Sequence, residues 1–158
     1  MLTESSSPQT SVPPRAVSWL GYGGLMPFLG LALASGLEVG PAWIAQALLA
    51  YGAVILSFVG ALHWAFAMTL TDLPEDRRTW MYIWSTLPAL AAWPALLLEP
   101  RVGSVMLVAG FALHYLQDRR LVTLAPMPAW YLPLRLRLSM VATVCLLAPG
   151  LKAAITGG

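Results

Sequence analysis

The chain has 158 residues, 58% of them hydrophobic and only 10% charged, with a mean hydropathy of +0.71. An average soluble domain is about 25% charged, so this composition excludes an ordinary water-soluble domain. The net charge of +2 carries no nucleic-acid signature, and a single cysteine, Cys145, excludes an intrachain disulfide.

Residues 1–15 form a Ser-, Thr- and Pro-rich segment without apolar periodicity, expected to be a disordered cytoplasmic tail. Residues 16–158 read as one all-α transmembrane domain, an integral membrane bundle of five helices. The spans are expected at about 16–37, 42–70, 82–98, 102–117 and 134–155. A helix needs about 20 apolar residues to cross a ~30 Å hydrocarbon core. The first and fifth spans fit directly. The second would be ~44 Å long and must tilt or project into the headgroups. The third and fourth are short and borrow flanking residues. Strands are a poor alternative, because no stretch alternates with period two and an open sheet edge cannot face lipid.

Pro27, Pro88, Pro94 and Pro149 lie inside spans and read as kinks whose freed carbonyls find other partners. Ala32-Leu33-Ala34 before Ser35 resembles a signal-peptidase site, but the long preceding run holds Pro27 and four glycines. The expectation is therefore an uncleaved anchor. The segment from Leu121 to Pro133, with three prolines, is expected to lie along the inner interface.

Charge sorts the loops. Arg15, Arg77, Arg78, Arg119, Arg120, Arg135 and Arg137 collect on one side, against Arg101 and Lys152 on the other. Cytoplasmic loops carry the excess of Lys and Arg, which puts the N-terminus inside and the C-terminus outside. Trp19, Tyr22, Trp80, Tyr82, Trp84, Trp130 and Tyr131 fall at the inner boundary, and Trp43 and Trp93 towards the outer one. Such rings prefer the headgroup level.

Polar side chains at membrane depth mark functional candidates. His63, followed by Trp64, lies ~10 Å inward of its span's midpoint, and His114 ~7 Å inward of its own. The two imidazoles therefore share a layer. Gly110, His114 and Asp118 are spaced i, i+4, i+8 on one helix face, and Gly60 sits one turn before His63. Small residues let helices approach closely, so two tightly packed helices are expected to carry the imidazoles.

Three chemistries suit His63, Trp64, His114 and Asp118. Two facing imidazoles suit a haem iron. His114 and Asp118 suit proton transfer, with arginines nearby drawing an anionic or quinone headgroup. The two histidines also suit part of a metal site, although two ligands are too few and no metal is expected. Against all three stands a structural role, in which intramembrane His and Asp bond helices together. Asp118 then reads as a solvated helix-end acid paired with Arg119 or Arg120. Arg135, Arg137, Trp130 and Tyr131 form a candidate headgroup-binding group. Their plainer reading is arginines snorkelling to phosphates beside belt aromatics.

The run Tyr51-Gly52-Ala53-Val54-Ile55-Leu56-Ser57-Phe58-Val59-Gly60-Ala61-Leu62-His63-Trp64 resembles the signature of transmembrane-protein-69-like proteins, catalogued as domain of unknown function 3429. Further matches are Trp84-Ser85 with Pro88, Gly110 through Asp118, and Pro128-Ala129-Trp130-Tyr131 leading to Leu134-Arg135. The resemblance covers about residues 16–155. It implies a small multi-helix protein of bacterial inner membranes with mitochondrial relatives, and it implies no reaction and no catalytic residues.

No nucleophile with a base, phosphate loop or metal-ligand cluster is evident, so the expected function is non-enzymatic: a multi-pass bundle of the bacterial inner membrane, or of the mitochondrial one, that binds lipid or other inner-membrane proteins. The rival is a redox-linked protein binding quinone or haem b through His63 and His114. A third reading is proton or small-solute conduction. It is weakened by the thin file of polar residues outward of the histidines: Gln46, Tyr51, Ser57 and Ser104.

Overall fold

A computed structural model describes residues 12–37, 41, 43–71 and 73–156, with side chains through residue 149. Most of the expected N-terminal tail lies outside the described residues, and Arg15 opens the first helix. Among the described residues the fold is entirely helical, with no strand. The helices are α1 (Arg15–Gly23), α2 (Met26–Gly36), α3 (Trp43–Thr69), α4 (Glu75–Ala95), α5 (Pro100–Leu124) and α6 (Tyr131–Thr156).

Among the described residues, three stretches are long and apolar enough to cross a membrane: Arg15–Gly36, Trp43–Thr69 and Tyr131–Pro149. The first is not one continuous helix. Pro27 falls in the first turn of α2, where the absent N–H is no loss within that helix. The same absence denies Gly23 its i+4 partner and ends α1 there. The hydroxyl of Tyr51 on α3 donates to the Gly24 carbonyl at 2.8 Å, so the break is tied to the centre of the bundle.

α4 and α5 depart from the expected bounds. α4 begins at Glu75, seven residues before the expected Tyr82, and stops at Ala95. Hydropathy hides its first turns because Glu75, Asp76, Arg77 and Arg78 are charged. These residues nevertheless hold the helix. The two acids sit at its positive end, and Arg78 donates to the carbonyls of Ala67 and Thr71 at the end of α3. α5 runs to Leu124 instead of Gln117. Its last turns persist because Leu121 packs into a small cluster with Ala67, Leu73, Met81 and Ala125. The segment from Leu121 to Pro133 forms no further helix of its own. Both of its ends are helical, and only residues 125–130 connect α5 to α6. At the other end of α5, the Glu99 carboxylate accepts from the backbone N–H of Arg101 at 3.1 Å and of Val102 at 3.4 Å, ahead of Pro100.

α3 is the central rod, touching α2, α4, α5 and α6. Its buried Leu48, Leu49, Ala53, Leu56 and Val59 meet Phe28, Ala92, Leu107, Phe111 and Leu146 in one core. Glycines set the close approaches. A Cβ on Gly60 would come within 2.8 Å of the Pro88 ring, so this glycine admits α4 rather than α5, contrary to the expected pairing. A Cβ on Gly110 would meet Leu56 at 2.6 Å, and one on Gly103 would collide with the Ala95 carbonyl and Leu49. Gly110 brings α5 against α3, and Gly103 brings it against both α4 and α3.

Candidate functional site

Four helices contribute to one buried polar cluster. α3 supplies His63, α4 supplies Trp84, α5 supplies His114 and Asp118, and α6 supplies Tyr131 and Arg135. His63 and Asp118 are fully buried, and His114 is 1% exposed. The expected layer of imidazoles is present: the two rings pack edge to face with centroids 4.7 Å apart.

Asp118 is the hub. Its Oδ2 accepts from Arg135 Nε at 2.8 Å, and its Oδ1 accepts from the Tyr131 hydroxyl at 2.9 Å. His63 Nε2 lies 3.6 Å from the same Oδ1, and His114 Nε2 lies 3.9 Å from it. These last two separations exceed hydrogen-bond distance. They leave the carboxylate bonded by α6 and merely faced by the histidines. Tyr131 and Arg135 are one helical turn apart, so both point to the same side of α6. That i, i+4 relation was readable in the sequence.

Two expectations about charge are corrected. Asp118 is not a solvated acid paired with Arg119 or Arg120, both of which are exposed. Arg135 does not snorkel to phosphate. It is 8% exposed and its charge is matched by Asp118. Desolvating either charge alone is costly, so each requires the other. The candidate headgroup residues accordingly divide. Tyr131 and Arg135 turn inward, Trp130 is half-buried, and Arg137 is exposed. Trp64 also separates from His63: it is 49% exposed and packs on Tyr82 at 4.9 Å.

His114 has a defined proton arrangement. The indole N–H of Trp84 donates to its Nδ1 at 3.2 Å, so Nδ1 is the acceptor and the neutral ring carries its hydrogen on Nε2, on the side of Asp118. Sequence reasoning placed Trp84 in an aromatic belt and missed this role. His63 differs: among the described residues neither of its nitrogens has a hydrogen-bond partner. A fully buried imidazole without a bond is rare and requires a reason.

The donor set does not suit the groups that imidazoles commonly hold. A haem between His63 and His114 does not fit, because rings in edge contact leave no space for a macrocycle. The ligand atoms of His63, His114 and Asp118 do lie within 4.8 Å of one another. However, Arg135 already neutralises Asp118, and His114 Nε2 is protonated in its bonded tautomer. A divalent cation there would add uncompensated charge in a buried site.

Beside the cluster lies an apolar cavity of about 670 Å³. Phe28, Val59, Leu62, Phe111 and Leu138 line it, with Tyr131, Arg135 and Ser139 on the α6 wall. Leu20 of α1 and Phe58 of α3, both largely exposed, also line it. The cavity therefore opens to the surroundings between these helices. α1 closes one side of this space with Val17, Leu20 and Gly21, although none of its residues is buried. A second recess of about 40 Å³ lies between α4 and α5, next to Arg77, Trp80, Gln117 and Arg120.

The chain is similar to a curated protein of Xenopus tropicalis described as "Transmembrane protein 69", with 37% identity over 84% of this chain. The chain spans about half the length of that relative, 53%. No solved structure matches. The match and the long apolar helices together make this a membrane protein. The family model described as "Protein of unknown function (DUF3429)" matches residues 13–149, and the chain belongs to that family.

Proposed function

We propose that this chain is a five-span, non-enzymatic inner-membrane bundle, bacterial or mitochondrial, with its N-terminus inside, that binds a membrane lipid in the cavity beside Tyr131 and Arg135. The cavity carries this reading. It is almost wholly apolar, opens sideways where lipid would surround the bundle, and meets polar side chains at one wall. Ligand sites commonly combine a concave apolar lining with a few placed polar groups. The crossing of α4 and α5 is supported by length. Their 21 and 25 residues correspond to about 31 and 38 Å of helix, long enough for a ~30 Å core provided that the charged ends, residues 75–78 and 118–120, are paired or reach the headgroups. Binding of other inner-membrane proteins through the outer helix faces is compatible with the same role.

The test is to purify the protein in mild detergent and identify what copurifies. A defined lipid, lost when Leu62→Trp fills the cavity, supports the reading. The same lipid retained at the same ratio by the filled variant contradicts it.

A second reading, quinone-linked chemistry, is favoured by one observation: Tyr131 and Arg135 touch both the cavity and Asp118, behind which the two histidines lie. A quinone in the extract would support it. Conduction is less well supported. Gln46, Tyr51 and Ser57, three of the four polar residues outward of the histidines, donate to the carbonyls of Leu96, Gly24 and Ala53, and a proton path through them would have to break these bonds.

A further inference from the structure

The class of ligand follows from the charge balance at the cavity wall, given the reading above that a lipid occupies the cavity. We infer that the ligand is a single-tailed lipid with an uncharged, carbonyl-bearing head, its carbonyl oxygen directed at Arg135. Apart from the indole of Trp130, the polar side chains on the cavity wall are Tyr131, Arg135 and Ser139. They follow at i, i+4, i+8, so they form one stripe along α6.

Arg135 looks like an anion receptor, but its charge is already matched by Asp118 at 2.8 Å. The pair is neutral. The other titratable groups around it are His63, His114 and Tyr131, and the imidazoles face Asp118 rather than the cavity. An anionic head would therefore bring a second negative charge to one guanidinium in a site screened from water. A cationic head would face that guanidinium directly. An uncharged head avoids both costs.

Hydrogen bonding narrows the class further. The Tyr131 hydroxyl donates to Asp118. Arg135 donates to Asp118 through Nε and also bonds the Tyr131 side chain; a guanidinium has five N–H donors, so donors remain beyond these. The wall thus offers donors and calls for an acceptor without charge, which a carbonyl provides. The cavity of about 670 Å³ falls within the roughly 300–1,000 Å³ usual for one small ligand, room for one lipid tail. Fatty esters and prenylated quinones share this chemistry.

The experiment is native mass spectrometry of the full chain in detergent micelles, with competing probes at alkaline pH so that the acid is ionised. The probes are methyl oleate, oleate and a short-tailed prenyl benzoquinone. The wild type is expected to retain the ester or the quinone at least ~10-fold better than oleate, and whichever of the two dominates identifies the source. Asp118→Asn leaves Arg135 unmatched, so the preference should reverse towards oleate. Oleate retained by the wild type as well as the neutral probes overturns the inference, and that comparison decides even if Asp118→Asn fails to fold. An unchanged preference in a folded Asp118→Asn also overturns it. Failure of the underlying reading gives a different result: no probe is retained, or Leu62→Trp retains all three as the wild type does.

Discussion

Asp118 and His63 occupy the same dry layer and are expected to behave oppositely when replaced. Removing Asp118 strands the Arg135 guanidinium, and removing Arg135 strands the carboxylate. Each of Asp118→Ala and Arg135→Met should cost about 3–5 kcal/mol. The double variant Asp118→Leu with Arg135→Met should cost less than either single change, since it leaves no unpaired charge. His63 has no bond to lose. His63→Leu removes an unsatisfied polar group whose burial costs about 1–3 kcal/mol, so stability should hold or rise. Thermal unfolding in detergent reads all four variants. A loss in His63→Leu as large as that in Asp118→Ala would mean that His63 is held by a bond the geometry lacks. Much of this site was legible in the sequence. Helical rise alone placed His63 and His114 at one depth. The partner of Asp118 was not, because counting arginines by loop assigns Arg135 to a side of the membrane and says nothing of its direction. Only packing of α6 against α5 turns its side chain inward.

Among the elements, the close crossings of α3, α4 and α5 depend on positions where no Cβ fits. Gly103→Ala should destabilise by about 1–3 kcal/mol, because the added carbon meets the Ala95 carbonyl. Gly30→Ala is the matched control. Nothing lies within 4 Å of its Cβ position, and alanine is the better helix former by up to ~1 kcal/mol. Chemical unfolding that found equal losses at the two positions would refute this account of the packing. The glycine spacing on α5 was readable beforehand, as was the existence of each apolar rod. The helix ends of α4 and α5 were not. Charged residues end a hydropathy window, whereas a helix ends where its backbone hydrogen bonds end. Arg78 on the α3 carbonyls and Leu121 in its apolar cluster keep those bonds in place. Pro27 was recognised as an interruption, but the place of the break, between Gly23 and Met26, was not.

For the whole molecule, the arginine distribution and the five rods make one topological expectation. Reporter fusions at the N-terminus and at the C-terminus should report opposite compartments, with the N-terminal one inside. Reporters on the same side would remove α4 or α5 from the membrane and, with it, the layer in which Asp118 is buried. The cavity could not be inferred from composition, since each of its walls looks like any other apolar helix face. It arises where five elements fail to close. The most direct test of its role is photo-crosslinking in native membranes, with a benzophenone amino acid at Leu62, which lines the cavity, or at Leu113, which faces outward at 56% exposure. Leu62 is expected to capture one lipid class far above its share of the membrane, while Leu113 captures the bulk mixture. The same mixture at both positions would contradict a specific ligand in this protein.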